Sequence, residues 1–298
     1  KKSITFMEEA LKKEEPIKSV VNNNGVFANL ISNMSKEEYI QKVERIKEYI
    51  HEGDVFQVVL SKRWILETEE DPFILYRKLR RVNPSPYLFY LNFGDYQVAG
   101  SSPEMLVELR KDKVYTCPIA GTRRRGRNEK EDEFLAQELL RDEKERSEHV
   151  MLVDLARKDM GRVAEIDSVQ VTDFMKVHYY SHVMHLVSLV EGRKKEGEDA
   201  FSILHSFLPA GTLSGAPRIR AMEIIDELEK EKRGIYGGAV GYFGFDGDMD
   251  MSIAIRTMVI KNGKVYMQAG AGIVVDSEPE KENEECENKV KALLKAVE

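Results

Sequence analysis

Cysteine is scarce: Cys117 and Cys286 are the only two in 298 residues, which excludes a disulfide-stapled scaffold and fits a reducing compartment. Neither has a partner at metal-ligand spacing, so each reads as an ordinary unpaired thiol. Excess positive charge is also lacking. With 45 Lys and Arg against 52 Asp and Glu the net charge is -7, which argues against a phosphate-backbone binder and so against a nucleic-acid partner. No apolar run approaches the length of a membrane span, and the Lys1-Lys2 start is not followed by a signal-peptide core. The expectation is a soluble, cytoplasmic protein with no membrane partner. There is no Pro/Ser-rich linker, internal repeat or low-complexity tract, and the length suffices for one large domain with a sizeable core.

What is present reads as alternating β-rich and helical stretches. Residues 1–31 form a segment with no assignable role, comprising a short charged helical stretch and the loop Asn22-Asn23-Asn24-Gly25; residues 32–298 form the main domain. Ser35-Lys-Glu-Glu38 has the form of a capping box, and Ile40, Val43, Ile46 and Ile50 continue at helical spacing to about His51. A β-rich run, VFQVVLSKRWILE, precedes a helix opened by Asp71-Pro72. YLFYLNFG, YQVAGSS, MLVELR and KVYTCPIAG have strand composition, with a tight turn at Lys111-Asp112. A single long helix is expected from about Glu129 to Lys158. RVAEIDSVQVTDFMKVHYYSHVMHLVSLVEGR then reads as strands, followed by helices at 199–207 and 216–231. The last third reads as a meander, IYGGAVGYFGF, MSIAIRTMVI and VYMQAGAGIVV, turning at Asp246-Gly247-Asp248 and Asn262-Gly263. A terminal helix begins near Pro279. Hairpin-linked strands with segregated helices predict an α+β fold of antiparallel sheets with helices packed outside.

Two glutamate pairs, Glu145/Glu148 and Glu282/Glu285, are spaced three apart, so each pair shares one helix face. Such pairs are common on solvated helices. If they converge, an all-carboxylate donor set without Cys or His suits a hard cation such as Mg2+. PIAGTRRRG and LPAGTLSGAP each offer a Gly-Thr turn whose N–H and hydroxyl groups can meet an anion. His185 sits among apolar neighbours, where a core histidine is the commoner outcome. Glu104 follows Pro103, AGAGIVVDS brings three small residues to a strand end, and Arg256 in IAIRT needs an anionic partner if buried.

Together PIAGTRRRG, DEKERSEHVMLVDLARKDMGR, HLVS, PAGTLSGAP, YGGAVGYFGF, AIRT and AGAGIVVDSEPEKE resemble the chorismate-utilising enzymes, in their anthranilate synthase component I branch, from about Ser32 to the C-terminus. Two positions sort the chemistry within that family. Gln57 stands where isochorismate- and salicylate-forming members carry a water-activating lysine, and Ala120 stands where aminodeoxychorismate synthases carry an adduct-forming lysine. The resemblance therefore implies direct attack by ammonia on chorismate, giving anthranilate and pyruvate. It implies Glu148 and Glu285 as Mg2+ ligands with Glu145 and Glu282 completing the shell. Glu104 becomes the general acid for the departing C4 hydroxyl, and His185 assists loss of the C2 proton with elimination of pyruvate. Gln57 lines the attacking side. Arg256, Tyr236 and the backbone of Gly270, Ala271 and Gly272 hold the enolpyruvyl carboxylate. Gly121, Thr122, Thr212 and Lys289 complete anion binding around the ring.

The same resemblance implies a separate glutamine amidotransferase subunit as ammonia source, because no Cys-His-Glu glutaminase motif is visible. Two other readings stay open, an enzyme stopping at aminodeoxyisochorismate and a catalytically silent chorismate- or partner-binding domain. Lys158 stands where the family usually shows Asn. The family's tryptophan feedback site joins an upstream Leu-Leu-Glu-Ser segment to Asn-Pro-Ser-Pro-Tyr. Here Asn83-Pro84-Ser85-Pro86-Tyr87-Leu88 is present without that upstream segment, so Pro86, Tyr87 and Leu88 read as half a feedback site. A separate N-terminal region, a catalytic fragment or a compact engineered form would each account for this, and exposed sheet edges are expected.

Overall fold

The computed structural model describes residues 30–180 and 183–297. The charged stretch and the Asn22–Gly25 loop lie outside the described residues. Among those described, β1 (Ile31–Ser32), α1 (Lys36–His51), β2 (Gln57–Glu67), α2 (Pro72–Val82), β3 (Tyr87–Asn92) and β4 (Gln97–Ser102) come first. Next are β5 (Met105–Arg110), β6 (Lys113–Thr116), β7 (Ile119–Arg124), α3 (Glu129–Arg141), α4 (Glu143–Val163), β8 (Gln170–Tyr179), β9 (Val183–Arg193) and α5 (Ala200–Phe207). The rest comprises α6 (Gly211–Ser214), β10 (Gly215–Ala216), α7 (Arg218–Leu228), β11 (Ala239–Phe243), β12 (Met249–Ile253), β13 (Thr257–Lys261), β14 (Lys264–Ile273) and α8 (Pro279–Val297). The strands form two antiparallel sheets, as the α+β reading expects. One runs β1-β2-β14-β13-β4-β3 with β10 also on β2; the other runs β11-β12-β5-β6-β9-β7 with β8 also on β9.

Local chemistry explains most boundaries. Asp71 accepts from the N–H groups of Phe73 and Ile74, capping α2 with Pro72 at its first position, where a missing N–H costs nothing. Asn262 and Gly263 both take positive φ in the β13–β14 turn, the requirement of a tight hairpin. Ser35 caps α1 by accepting from Glu38 N–H at 3.1 Å. The capping box is only half formed, because the Glu38 carboxylate turns instead to Lys42 and Lys230. The buried stripe of α1 is Tyr39, Val43, Ile46 and Tyr49, one residue off the expected one at both ends.

Four expectations fail for identifiable reasons. The long helix is two: Asp142 is extended (φ -70°, ψ 110°), ends α3, and accepts from Lys144 and Glu145 N–H to start α4, which runs on to Val163. KVYTCPIAG is broken at Cys117-Pro118 into β6 and β7, both paired with β9, because proline has no N–H to give the ladder. MSIAIRTMVI is not one strand of a meander. Its first half, β12, pairs with β5 and β11, whereas its second half, β13, pairs with β4 and β14 in the other sheet. The helix expected at 216–231 is preceded by α6 and β10 and spans only Arg218–Leu228; Pro217, as its N-cap, sets the late start.

Apolar burial divides with the sheets. Leu60, Leu66, Met258 and Val265 of the first sheet pack with Ile46 of α1, Leu75 of α2, Ile224 of α7 and Leu293 of α8. Val107, Val114, Val190 and Met251 of the second sheet pack with Val153 and Met160 of α4 and Ile203 of α5. The two helices bearing the glutamate pairs thus belong to different cores. Among the described residues β11 borders its sheet, with Tyr242 and Phe243 exposed.

Candidate active site

The chain crosses from one sheet to the other at Pro103-Glu104, between β4 and β5, and at Ala254-Ile255-Arg256, between β12 and β13. Ile253 N–H donates to the Glu104 carbonyl at 3.0 Å and Ser101 N–H to the Arg256 carbonyl at 3.1 Å, which fixes both crossovers side by side. Arg256 turns the corner in the left-handed region, φ +49°, a conformation that costs a non-glycine residue energy and must be held by its surroundings. So Arg256 sits at a junction, not within an apolar strand as its sequence suggests. Burial lowers its pKa, while Tyr236, Glu104 and Glu285 act to keep it charged. Among the described residues no carboxylate lies within ion-pair distance of its guanidinium, leaving that charge free to meet an anion.

Burial pushes the Glu104 carboxyl up to about 7, against the opposing influence of Thr212, Arg256 and Lys289. The Thr212 hydroxyl is near enough to act on Glu104 yet makes no hydrogen bond of normal geometry, and its oxygen is buried. His185, on β9, lies opposite Thr122 of β7. Its Nδ1 is 3.1 Å from the Gly121 carbonyl and 3.0 Å from Thr122 Oγ1. A carbonyl only accepts, so Nδ1 carries the proton and Nε2 keeps its lone pair in the neutral ring. Burial lowers the imidazole pKa, the Gly121 carbonyl resists, and Arg256 adds to the lowering. Gly121 itself has φ +72°, and a Cβ there would lie 3.2 Å from Glu145 Oε2; only glycine suits both demands.

The floor is β14 beside β2. Gly270, Ala271 and Gly272 pair with Ser61, Leu60 and Val59. Lys289 of α8 donates to the Gly270 carbonyl at 2.8 Å, and a Cβ on Gly270 would stand 3.1 Å from the Tyr236 hydroxyl. Burial raises the Tyr236 phenol. Gln57, at the start of β2, is buried; its Nε2 lies 3.4 Å from Glu148 Oε1, while its Oε1 is buried without a partner.

Glu145 and Glu148 of α4 approach Glu282 and Glu285 of α8. Burial first, then Glu145 and Glu285, raises the Glu148 pKa. Glu282 is raised by burial and Glu285 despite Ser277. Lys144 and Lys289 act against the rise at both sites. Two cations hold the outer members: Arg123 Nη1 is 3.2 Å from Glu145 and Lys289 Nζ is 2.5 Å from Glu285. Among the described residues no three His, Cys, Asp or Glu side chains gather closely enough to hold a metal ion. The donor set nevertheless fits Mg2+ in kind, with oxygen-only ligands and carboxylates whose mutual repulsion a divalent cation would relieve.

Sequence reasoning missed Arg123 in this cluster and gave Lys289 to a substrate anion, whereas the structure places it on Glu285 and the Gly270 carbonyl. The Arg123-Arg124-Arg125 run divides its charges: Arg123 takes Glu138, Asp142 and Glu145, Arg124 takes Glu131, and Arg125 takes Asp132. The signal was present as basic residues preceding an acidic helix start, but their partners are set by the strand-to-helix turn. Pro86 precedes edge strand β3, which begins with Tyr87 and Leu88, and burial and Asp250 raise the Tyr87 phenol. Lys158 is exposed, and Cys117 is a half-buried thiol pushed up to about 11 by burial and Glu104.

The sequence of residues 4–295 matches the family described as chorismate binding enzyme. The chain belongs to that family. Anthranilate synthase component 1 of Acetivibrio thermocellus is 60% identical over 267 residues, covering 90% of this chain and 54% of the relative. The crystal structure of anthranilate synthase component I from Streptococcus pneumoniae TIGR4 superposes with TM-score 0.87 at 46% identity, covering 98% of this chain and 65% of that one. The menaquinone-specific isochorismate synthase of Escherichia coli superposes with TM-score 0.84 at 26% identity, covering 99% and 68%. The chain spans about half the length of the curated relatives it matches. Since one fold hosts both anthranilate and isochorismate synthases, the fold does not select the product. Among the described residues no helix is long and apolar enough to cross a membrane.

Proposed function

We propose that this chain carries the catalytic site of an anthranilate synthase component I, converting chorismate and ammonia to anthranilate and pyruvate for tryptophan biosynthesis. The observation that carries this reading is the pair of crossovers that brings Glu104 and Arg256 side by side, with His185 near enough for the Arg256 charge to act on it. A carboxyl titrating near 7 is protonated often enough to donate to a leaving hydroxyl. A neutral imidazole with Nε2 unprotonated can accept the C2 proton in the second step. Arg256, lacking a protein anion, receives a substrate carboxylate, with Tyr236 and the β14 backbone beside it. Gln57 places an uncharged amide where a lysine would activate water, and Ala120 offers no amine for an adduct; both favour ammonia as nucleophile. Each charge-assisted hydrogen bond contributes about 1.5–3 kcal/mol, so a few suffice to orient a small polyanion.

Mg2+ is the proposed cofactor, and when bound it would supply charge neutralisation and a template for the ring carboxylate. Glu148 and Glu285 would hold it, with Glu145 and Glu282 supporting. Ammonia is proposed to come from a separate glutamine amidotransferase subunit, consistent with relatives being named component 1. A cytoplasmic location follows the same reading.

The test is anthranilate fluorescence from the purified chain given chorismate, Mg2+ and ammonium, with pyruvate assayed in parallel. Both products in equal amounts are expected. Chorismate consumed without pyruvate would instead support the aminodeoxyisochorismate reading, and folded protein that binds no chorismate would sink the catalytic assignment.

A further inference from the structure

One ion pair outside every motif used above reaches four parts of the site at once. Arg233 and Glu229, on the loop after α7, are largely buried, with side chains 17% and 6% exposed. Arg233 grips Glu229 in a fork, Nε to Oε2 at 2.8 Å and Nη2 to Oε1 at 2.6 Å. Two more donors go to main chain: Nη1 to the Leu213 carbonyl at 2.5 Å and Nη2 to the Val59 carbonyl at 2.7 Å. Leu213 follows Thr212, and Val59 lies two residues beyond Gln57 on β2. The guanidinium also sits over the Tyr236 ring, 5.7 Å from its centroid, a cation–π placement that fixes the ring facing Gly270.

Glu229 Oε1 completes the link by accepting from Ser61 N–H at 2.8 Å and Ser61 Oγ at 2.9 Å. Ser61 is the strand partner of Gly270, and its hydroxyl also accepts from Gln268 Nε2 at 2.7 Å. The Tyr236 ring, the main chain just after Thr212 and the backbones of β2 and β14 are thereby referred to a single bidentate pair. We infer that Arg233 and Glu229 are positioning residues of the chorismate site, setting the Tyr236–Gly270 spacing and the Thr212 turn without touching substrate. The inference rests on the proposed function for the identity of the ligand.

The geometry matters beyond stability. A guanidinium fork cannot be replaced by an ammonium, which offers a point charge without paired planar donors. Removing one charge strands the other in a buried place, whereas removing both with apolar replacements is commonly neutral for stability. Stability and positioning can therefore be separated. Arg233→Met, Arg233→Lys and the double variant Glu229→Leu/Arg233→Met would be melted thermally and titrated calorimetrically with chorismate in the presence of Mg2+.

Arg233→Met should melt lower and bind chorismate at least about tenfold more weakly, since a misplacement of about 1 Å costs up to about 100-fold at such sites. The double variant should regain most of the melting temperature and remain weak, with Arg233→Lys intermediate in affinity. A double variant that regains affinity along with stability would overturn the inference, as would wild-type affinity in folded Arg233→Met. If the wild-type chain binds no chorismate, the functional reading fails instead. A crystal structure of the double variant then judges the positioning role alone: displacement of the Tyr236 hydroxyl from Gly270 supports it, and an unmoved hydroxyl refutes it.

Discussion

On the proposed function, Glu104 sets catalysis against stability within one residue. Its carboxyl is held up to about 7 mainly by burial, whereas an unfolded glutamate titrates near about 4.3. Between these values the folded chain binds more protons than the unfolded chain, so stability falls as pH rises through that window. Glu104→Gln removes the titration. It should match the parent near pH 4, exceed it by about 1–3 kcal/mol at pH 8 after allowance for partial solvent contact, and lose turnover. Urea melts at the two pH values measure this, and an equal offset at both would show that the carboxyl is not held neutral. His185 poses the complementary case. Its Nδ1 is committed to the Gly121 carbonyl, so Nε2 is its only free proton acceptor. His185→Met should slow pyruvate release more than ammonia addition, letting an aminated intermediate accumulate in quenched samples; anthranilate as sole product at the parent rate would remove His185 from the elimination step.

At the scale of elements, the turn at Asp142 decides where α4 points its first glutamate. Asp142 accepts from two N–H groups of α4 and ion-pairs with Arg123 at 2.7 Å. Asp142→Ala should cost about 1–2 kcal/mol in thermal or urea stability, the usual loss of a helix cap. Asp142→Asn should keep the cap while losing only the ion pair, and so lie nearer the parent. Equal losses in both would assign the effect to charge rather than capping. This break was not legible in the sequence because Glu, Lys and Leu continue at helical spacing across it, and the competing force is a strand arginine 19 residues earlier. Elements with their own punctuation were legible: Asp71-Pro72 opens α2, and Asn262-Gly263 turns β13 into β14. The Arg256 crossover carried no such mark. Apolar residues run on either side of it, and only pairing with different sheets separates β12 from β13. Of the site, the residue types were readable from motifs, but the tautomer of His185, the counter-cations Arg123 and Lys289, and the Arg233–Glu229 pair depend on contacts between distant segments.

At the scale of the whole molecule, the glutamate pairs lie on helices of different cores, α4 with the second sheet and α8 with the first. Like charges face each other across that division, and Arg123 and Lys289 moderate the repulsion. A divalent cation shared by Glu148 and Glu285 would convert that repulsion into a tie between the two cores. Anything that binds the folded state alone raises its stability, so Mg2+ should raise the melting temperature of the parent chain. The effect should weaken at low pH, because raised carboxyl pKa values at Glu148 and Glu282 mean protons compete with the metal. Glu285→Gln removes one arm of the tie and frees Lys289 from its partner. It should abolish the Mg2+-dependent rise and Mg2+-dependent turnover while leaving the metal-free melting temperature within a few degrees, since an exposed i,i+4 ion pair contributes only about 0.3–0.5 kcal/mol. Differential scanning calorimetry with and without Mg2+ makes the comparison. A parent-like rise in Glu285→Gln would place the ion elsewhere, and the tie between the two cores would then rest on protein contacts such as the buried Arg218–Asp159 pair between α7 and α4.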